Sequence, residues 1–318
     1  MESVTFLHLY YNSTTKTGHI SKHQHCSGLE KGRTHVERNK TARALAIGSV
    51  ICLVKQSRFF RVEANIMNVV QVLPVKGLPL IKKDDNLAQL ISTAAQKQGT
   101  PLMNNDVIVV THVAVSKAEG CVYNLDDIVP SRFAENIAKR LDKDPALVEV
   151  ILRESRAIRR MSEGRLIAET HHGFVCANAG VDQSNVTGGR IVAPLPKNPD
   201  RSARAIRKGI QKLTGKDVAV IISDTHGRPF RMGEINIAVG VAGINPIRDR
   251  RGETDLFGYV LRVKQTAIAD ELASAAELVI GQAREGIAVA IIRGYDYPRL
   301  EKASAKELIR SRRKDLFP

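Results

Sequence analysis

Two short segments combine carboxylates, hydroxyls and glycines directly after apolar stretches. They are residues 178–186, NAGVDQSNV, and residues 222–231, ISDTHGRPFR. Hard cations such as Mg²⁺ prefer oxygen ligands, commonly one or two carboxylates together with phosphate oxygens. Asp182 and Asp224 are therefore candidate metal ligands, and Arg228 and Arg231 are candidate phosphate partners. Taken singly, each aspartate is more often a turn or cap residue, but their joint occurrence beside glycines and arginines favours a site.

Other residues that could take part in binding or catalysis give weaker indications of a site. Lys117 follows an apolar stretch and is a candidate phosphate ligand, although a surface lysine at a strand end is the commoner case. His112 lies in that stretch, where a single histidine is more often a hydrogen-bonded core residue. Cys176 is interpreted as a small core residue. The adjacent His171 and His172 would point to opposite sides of a strand, which argues against a shared metal site.

The familiar nucleotide-binding motifs are missing from the sequence. The nearest approach to a P-loop is residues 209–217, GIQKLTGKD, which has one residue too many and ends in Asp. It also follows a predicted helix, whereas a P-loop follows a strand. No GxGxxG sequence follows a strand, so a dinucleotide-binding fingerprint is excluded as well. A nucleotide would have to be held in another way.

Composition narrows the class of partner. The chain has 318 residues and a formal net charge of +15, which indicates a polyanionic partner. It has no Trp, no dense run of Lys or Arg and no nucleic-acid motif, so a phosphate-rich small molecule is favoured over nucleic acid. Four separated cysteines without a CxxC pair argue against a zinc knot or disulfide framework and fit a reducing cytoplasm. No run of about 18 apolar residues predicts a membrane span.

Candidate site residues must be positioned by alternating strands and helices. Residues 1–66 hold five of the nine histidines and show little periodicity, so we interpret them as an N-terminal extension or an incorrect start, and residues 67–318 as the functional domain. Within that domain the patterns predict helices over 86–98, 130–141, 145–160, 202–214 and 266–280, and strands over 68–75, 106–115, 173–179, 218–223, 235–241 and 287–292. The order is too irregular for a Rossmann sheet or a barrel, and indicates a mixed α and β fold.

Several segments, taken in order, resemble the coenzyme F-420 γ-glutamyl ligases of archaea. They are 77–81 (GLPLI), 115–120 (VSKAEG), the two segments described first, 270–273 (DELA) and 289–294 (VAIIRG). The resemblance covers roughly residues 67–294, and NAGVDQSNV and SDTHGR are its most specific parts. It implies an α+β fold particular to that family, with mixed sheets and an intertwined homodimer.

The resemblance also implies roles for individual residues. Asp182 and Asp224 match ligands of one divalent cation, and Thr225 matches a ligand of a second. At the second metal site this chain has Gln282 where some relatives have a glutamate, which removes a charge. Lys117, Arg228 and Arg231 are the residues we expect to assist catalysis. The expected nucleotide contacts are Leu78, Pro79, Leu80, Ile81, His112, Val113, Lys117, Asn185, Ile280, Gly281, Gln282, Ala283, Arg284, Glu285, Gly286 and Ile287.

The activity that the resemblance implies is addition of L-glutamate to the glutamate-free coenzyme F-420 precursor, with GTP as energy source. Two divalent ions, Mg²⁺ or Mn²⁺, are expected, and a need for K⁺ is left open. GTP would phosphorylate a carboxylate of the precursor, and the amine of glutamate would displace the phosphate. Two alternatives remain: another nucleotide-dependent amide ligase, or a non-catalytic nucleotide- or RNA-binding protein of this fold, whose RNA affinity would depend strongly on salt.

Overall fold

The computed structural model describes residues 69–162, 164–186, 189–281 and 283–315. Residues 1–66, interpreted as an extension, and Gln282, expected to bind metal and nucleotide, lie outside these ranges. Within them six α-helices occur: α1 (Leu87–Lys97), α2 (His112–Ala118), α3 (Arg132–Leu141), α4 (Pro145–Arg153), α5 (Pro199–Thr214) and α6 (Ile268–Ile280). None of the helices in the described ranges has the length and apolar character needed to cross a bilayer.

Twelve strands accompany these helices in the described part of the chain, which confirms the predicted α+β class. They are β1 (Gln71–Pro74), β2 (Val107–Thr111), β3 (Tyr123–Asn124), β4 (Ser155–Ser162), β5 (Arg165–Thr170), β6 (Val175–Ala177), β7 (Ile191–Val192), β8 (Ala219–Arg228), β9 (Arg231–Ala242), β10 (Arg248–Asp249), β11 (Gln265–Thr266) and β12 (Val289–Arg293).

A five-stranded sheet forms the centre of the fold, in the order β1-β12-β2-β8-β9. Strands β2 and β8 are parallel, and the other three pairs are antiparallel. The valines and isoleucines of β2, β12 and the first half of β8 are buried on both faces of the sheet. Such continuous β-branched runs are typical of strands covered on both sides. Helices α5 and α6 both pack against β9, and α1 packs against α5.

A smaller antiparallel sheet, β4-β5-β6, has its own core with α3 and α4. Leu125, Ile151 and Leu166 are among its fully buried side chains. Strand β6 also contacts β8, so the small sheet lies against the part of the central sheet that carries Asp224. This contact brings Cys176 on β6 towards the candidate site.

The ends of α4 and α5 follow from their capping residues. Asp144 accepts hydrogen bonds from the amides of Ala146 and Leu147, and Pro145 occupies the first turn, where a missing N–H costs nothing. The Asn198 side chain accepts from the Arg201 amide, and α5 ends at Gly215 in the left-handed conformation. Local chemistry in the sequence therefore fixes both helices.

The predicted strand over 106–115 is wrong beyond Thr111, because His112 begins α2. Val113 and Val115 are β-branched, but both are buried on this helix. Strand preference is a weak tendency that tertiary burial overrides. Lys117 consequently lies in the last turn of a helix rather than at the end of a strand.

Two further predicted boundaries are wrong. The helix expected over 145–160 ends at Arg153, and the chain continues into β4. The strand expected over 218–223 continues to Arg228, since its second half pairs with β9 in a long hairpin. Asp224 therefore lies within a strand, and its neighbours along the chain alternate between the two faces of the sheet.

Candidate active site

Parallel strands place His112 beside Asp224. Thr111 pairs with Ser223 in the register of β2 and β8, so the residues that follow them are neighbours. His112 Nε2 lies 3.2 Å from Asp224 Oδ1, and His226 Nε2 lies 3.1 Å from Asp224 Oδ2. All three side chains are buried. One carboxylate is thus held between two imidazole rings.

The electrostatics of this cluster keep Asp224 ionised. Burial alone would raise the pKa of the carboxyl group, but His112 and His226 outweigh burial and hold that pKa well below its ordinary value. For His112, burial lowers the pKa, while the Asp224 carboxylate and, to a smaller extent, Asp182 raise it above the ordinary value. The Asp224 carboxylate therefore stays negatively charged, and an ionised carboxylate is a preferred ligand of divalent cations.

Asp182 lies in the loop that follows β6. Asn178 and Ala179 there have positive φ angles of 52° and 55°, which turn the chain sharply. The Asp182 carboxylate accepts hydrogen bonds from the Ser184 amide at 2.7 Å and the Ser184 hydroxyl at 3.0 Å. Backbone hydrogen bonds in both directions between Asp182 and Ala193 fix its position. This aspartate is a turn residue and faces a cavity as well.

Thr225 follows Asp224 on β8 and belongs to a chain of polar contacts. Its hydroxyl lies 3.0 Å from Asn236 Oδ1, and Asn236 Nδ2 donates to Glu277 at 2.8 Å. Asn236 is 1% exposed, and the Ser274 hydroxyl donates to its carbonyl at 2.7 Å. Helix α6 thereby holds Thr225 through a buried amide.

Asp182, Asp224 and Thr225 line one open cavity of about 1000 Å³. Asn236, Glu234 and Glu277 line it too, and no Lys or Arg is among its described lining residues. We call it the acidic cavity. Its carboxylate, hydroxyl and amide oxygens are the donors that Mg²⁺ and Mn²⁺ prefer, so the residues fit the expected divalent cations.

A second cavity adjoins the first, because Asp182 lines both. It encloses about 780 Å³, part of it open to solvent, and we call it the apolar cleft. Twelve residues expected to contact nucleotide line it: Leu78, Pro79, Leu80, Ile81, Val113, Lys117, Asn185, Ile280, Ala283, Glu285, Gly286 and Ile287. Segments far apart in sequence thus form one concave surface, as ligand sites commonly do.

Lys117 supplies a positive charge to the apolar cleft. Its Nζ lies 3.3 Å from the carbonyl oxygen of Asn185, whose φ of 54° is also left-handed. Partial burial lowers the pKa of the lysine from its ordinary value. The ammonium group loses hydration through this burial, and the contact with the Asn185 carbonyl restores part of that loss. A phosphate oxygen would stabilise the charged lysine further, so Lys117 is well suited to bind one.

The remaining expected residues lie elsewhere. His112 is buried behind Asp224, Gly281 lines the acidic cavity, and Arg284 is exposed outside the walls of both cavities. Arg228 donates to the Met232 carbonyl at 2.9 Å in the β8–β9 turn, and Arg231 is exposed in that turn. Neither arginine lines either cavity, so their catalytic role stays a prediction.

Sequence reasoning did not find several lining residues. Thr111, Ala114 and Ala288 line the apolar cleft, while Asn236 and Glu277 line the acidic cavity. These residues carry no motif, and their positions depend on strand pairing and helix packing. His226 was not predicted as a site residue, although it lies in the segment ISDTHGRPFR. Residues two apart in a strand share one face, so its position two residues after Asp224 could have indicated that the two side chains meet.

Comparison with known proteins identifies the family. Residues 77–294 match the family model described as F420-0:Gamma-glutamyl ligase. Over 249 residues the chain is 49% identical to the coenzyme F420:L-glutamate ligase of Methanothermobacter thermautotrophicus, covering 78% of this chain and 98% of that protein. It is 46% identical over 258 residues to the ligase of the same name from Methanopyrus kandleri, covering 79% and 100%. The predicted resemblance is confirmed, and the chain belongs to the F420-0:gamma-glutamyl ligase family.

Proposed function

We propose that this protein is a GTP-dependent ligase that joins one or more L-glutamate residues to the glutamate-free coenzyme F-420 precursor. The observation that supports this most is the sharing of Asp182 between the apolar cleft and the acidic cavity. A phosphoryl transfer needs nucleotide, metal ligands and acceptor acid at one junction. The relatives are named coenzyme F420:L-glutamate ligase, which supplies the substrates of the proposal.

The nucleotide occupies the apolar cleft in this proposal. Its base and sugar contact the apolar walls around Leu80 and Val113, and its phosphates extend towards Lys117 and Asp182. Asp182, Asp224 and Thr225 would hold divalent cations, which neutralise charge on the phosphates when bound. Gln282 is the proposed further ligand of the second cation, and K⁺ is a candidate additional cation. Asn236 keeps the Thr225 hydroxyl in place, and His112 and His226 keep the Asp224 carboxylate ionised and oriented.

The reaction proceeds in two steps. A carboxylate oxygen of the precursor attacks the γ-phosphorus of GTP, the bond to the β–γ bridging oxygen breaks, and GDP leaves with an acyl phosphate formed. The α-amino nitrogen of glutamate, after loss of a proton, attacks the acyl carbon, and phosphate departs as the amide forms. Lys117 stabilises the transferring phosphoryl group. Positioning and electrostatics carry the catalysis, so no nucleophilic side chain is required.

The test is GDP release from GTP with Mg²⁺ or Mn²⁺ and L-glutamate, with and without the precursor, with product mass as a second readout. The proposal expects precursor-dependent GDP release and a mass gain of one or more glutamates. Asp182→Asn and Asp224→Asn should abolish turnover, whereas Asp127→Asn, an exposed carboxylate outside both cavities, should retain it. Turnover with another acid but not the precursor would indicate a different amide ligase. GTP binding without any turnover would indicate a binding protein.

We also propose that the protein forms a homodimer. Five side chains of one loop are markedly exposed: Leu256, Phe257, Tyr259, Val260 and Val263. Leu256 and Phe257 are 98% and 96% exposed. Several exposed apolar side chains within one short stretch are typical of an interaction surface, and a second copy of the chain is the proposed occupant. Light scattering should report a dimer that the double variant Leu256→Ser/Phe257→Ser dissociates, while Val129→Ser leaves it intact. A monomeric parent protein would contradict this proposal.

A further inference from the structure

Cys176, Asp224 and His226 form a buried cluster of potential metal ligands that the proposed reaction does not use as a set. Their sulfur, carboxylate oxygen and ring nitrogen atoms all lie within 4.8 Å of one another. Cys176 is on β6, and the other two residues are two apart on β8, so they share one face of the strand. The contact between the small sheet and the central sheet closes the cluster.

The cluster has close to the dimensions of a tetrahedral zinc site. Two nitrogen or oxygen ligands at about 2.0–2.1 Å from Zn²⁺ lie roughly 3.3 Å apart in tetrahedral geometry. His226 Nε2 and Asp224 Oδ2 are 3.1 Å apart. A sulfur ligand at about 2.3 Å would lie roughly 3.6 Å from each of the others. The cysteine sulfur is within 4.8 Å of both, so adjustment of about an ångström is sufficient.

The donor types separate this cluster from a magnesium site. Sulfur and imidazole donors suit Zn²⁺ and Co²⁺, whereas Mg²⁺ takes oxygen ligands at octahedral geometry. His112 contacts the other oxygen of Asp224 at 3.2 Å, which is the kind of outer contact that orients a ligating carboxylate. Asp224 also lines the acidic cavity, which gives an ion a path to the cluster and leaves one coordination position open.

We propose that Cys176, Asp224 and His226 bind Zn²⁺ or another thiophilic divalent cation. Binding displaces the proton of the Cys176 thiol, which is released to solvent as the sulfur–metal bond forms. Asp224 belongs both to this set and to the oxygen ligands of the acidic cavity, and its other oxygen is taken by His112 at 3.2 Å, so the carboxylate serves one of the two ions at a time. A thiophilic cation therefore withdraws Asp224 from the oxygen ligand set.

Cobalt is the probe that reports sulfur ligation directly, through the thiolate-to-Co²⁺ charge-transfer absorption in the near ultraviolet. The full chain also contains Cys26, Cys52 and Cys121, so the decisive protein is the triple serine variant that keeps Cys176 alone. We expect one equivalent of Co²⁺ to give the charge-transfer band together with intense tetrahedral visible bands, and Zn²⁺ to displace them. Histidines outside the cluster can bind Co²⁺ without producing the sulfur band.

Cys176→Ser should remove the charge-transfer band and weaken Zn²⁺ binding at least about tenfold, while Cys121→Ser should change neither. The proposal is overturned if the Cys176-only protein shows no sulfur band, or if replacing Cys176 by serine in that protein leaves the band in place. Retained secondary structure and an unchanged unfolding transition of Cys176→Ser, measured by circular dichroism, exclude misfolding as the reason for a lost band.

A second measurement rests on the proposed ligase function. In the presence of Mg²⁺, Zn²⁺ should inhibit precursor-dependent GDP release, and Cys176→Ser should raise the inhibitory Zn²⁺ concentration at least about tenfold while retaining turnover without Zn²⁺. Equal inhibition of both proteins would refute the exclusion mechanism. If the parent protein shows no precursor-dependent turnover, the proposed function fails, and the cobalt spectra still decide the metal site.

Discussion

Helices α5 and α6 both end at a glycine in the left-handed conformation. Substituting each glycine in turn separates the general cost of losing a glycine from the effect of one contact in the apolar cleft. Gly215 ends α5 with φ of 69°, and Gly281 ends α6 with φ of 71°. A β-carbon on Gly215 would meet nothing within 4 Å, whereas one on Gly281 would lie 2.5 Å from the carboxyl carbon of Glu285. The Glu285 carboxylate accepts a hydrogen bond from the Ala283 amide at 2.7 Å, and both residues line the apolar cleft.

Alanine in the left-handed conformation costs about 1–2 kcal/mol, so Gly215→Ala and Gly281→Ala should lower the free energy of unfolding by that amount. For a chain of this size the melting temperature should fall by about 2–4 °C per kcal/mol. Only Gly281→Ala also displaces Glu285 and releases the Ala283 amide. We therefore expect its dissociation constant for GTP to rise about five- to tenfold, as for the loss of one hydrogen bond that orders a binding loop.

Thermal denaturation and titration with a fluorescent GTP analogue measure the two effects separately. The expected result is a similar loss of stability in both variants and a loss of nucleotide affinity in Gly281→Ala alone. Equal GTP affinities of the two variants would refute the reasoning, because the Gly281–Glu285 contact would then not organise the cleft. A loss of affinity in Gly215→Ala would show that general destabilisation, rather than this contact, controls binding.

Three further predictions concern buried or half-buried polar groups. Asp106 is 1% exposed and accepts two hydrogen bonds from Arg293 at 2.9 and 2.8 Å. Urea denaturation of Asp106→Ala should therefore show a loss of about 3–5 kcal/mol in the free energy of unfolding, because the buried Arg293 contact loses its partner. A loss below about 1 kcal/mol would contradict this. Burial and the hydrogen bond to Glu154 raise the pKa of Tyr123 to about 12 from its ordinary value of 10.0. Its contribution to stability is therefore complete below about pH 10 and is lost as the pH rises through about 12. Urea denaturation at neutral pH and at about pH 11 measures this loss, which should be smaller in Tyr123→Phe than in the parent protein. Asn236→Ala should cost about 1–3 kcal/mol of unfolding free energy and weaken Mn²⁺ binding in calorimetry, because Thr225 loses its partner, and unchanged Mn²⁺ affinity would contradict the latter.

The sequence by itself determined the features that depend on local chemistry. The glycine at position 215 placed the end of α5, and continuous β-branched runs located the central strands. The family followed from short ordered segments such as NAGVDQSNV, in which Asn178, Ala179, Gly180 and Asn185 all have positive φ angles. These signals require no knowledge of which segments meet in space.

Only the tertiary structure decided which segments meet. The parallel register of β2 and β8 places His112 against Asp224, although a histidine in an apolar stretch carries no such signal. The packing of β6 on β8 brings Cys176 to the same carboxylate, and the packing of α6 on β9 brings Glu277 to Asn236. Long-range pairing depends on cooperative burial of many side chains at once, so neither residue type nor spacing along the chain encodes these contacts.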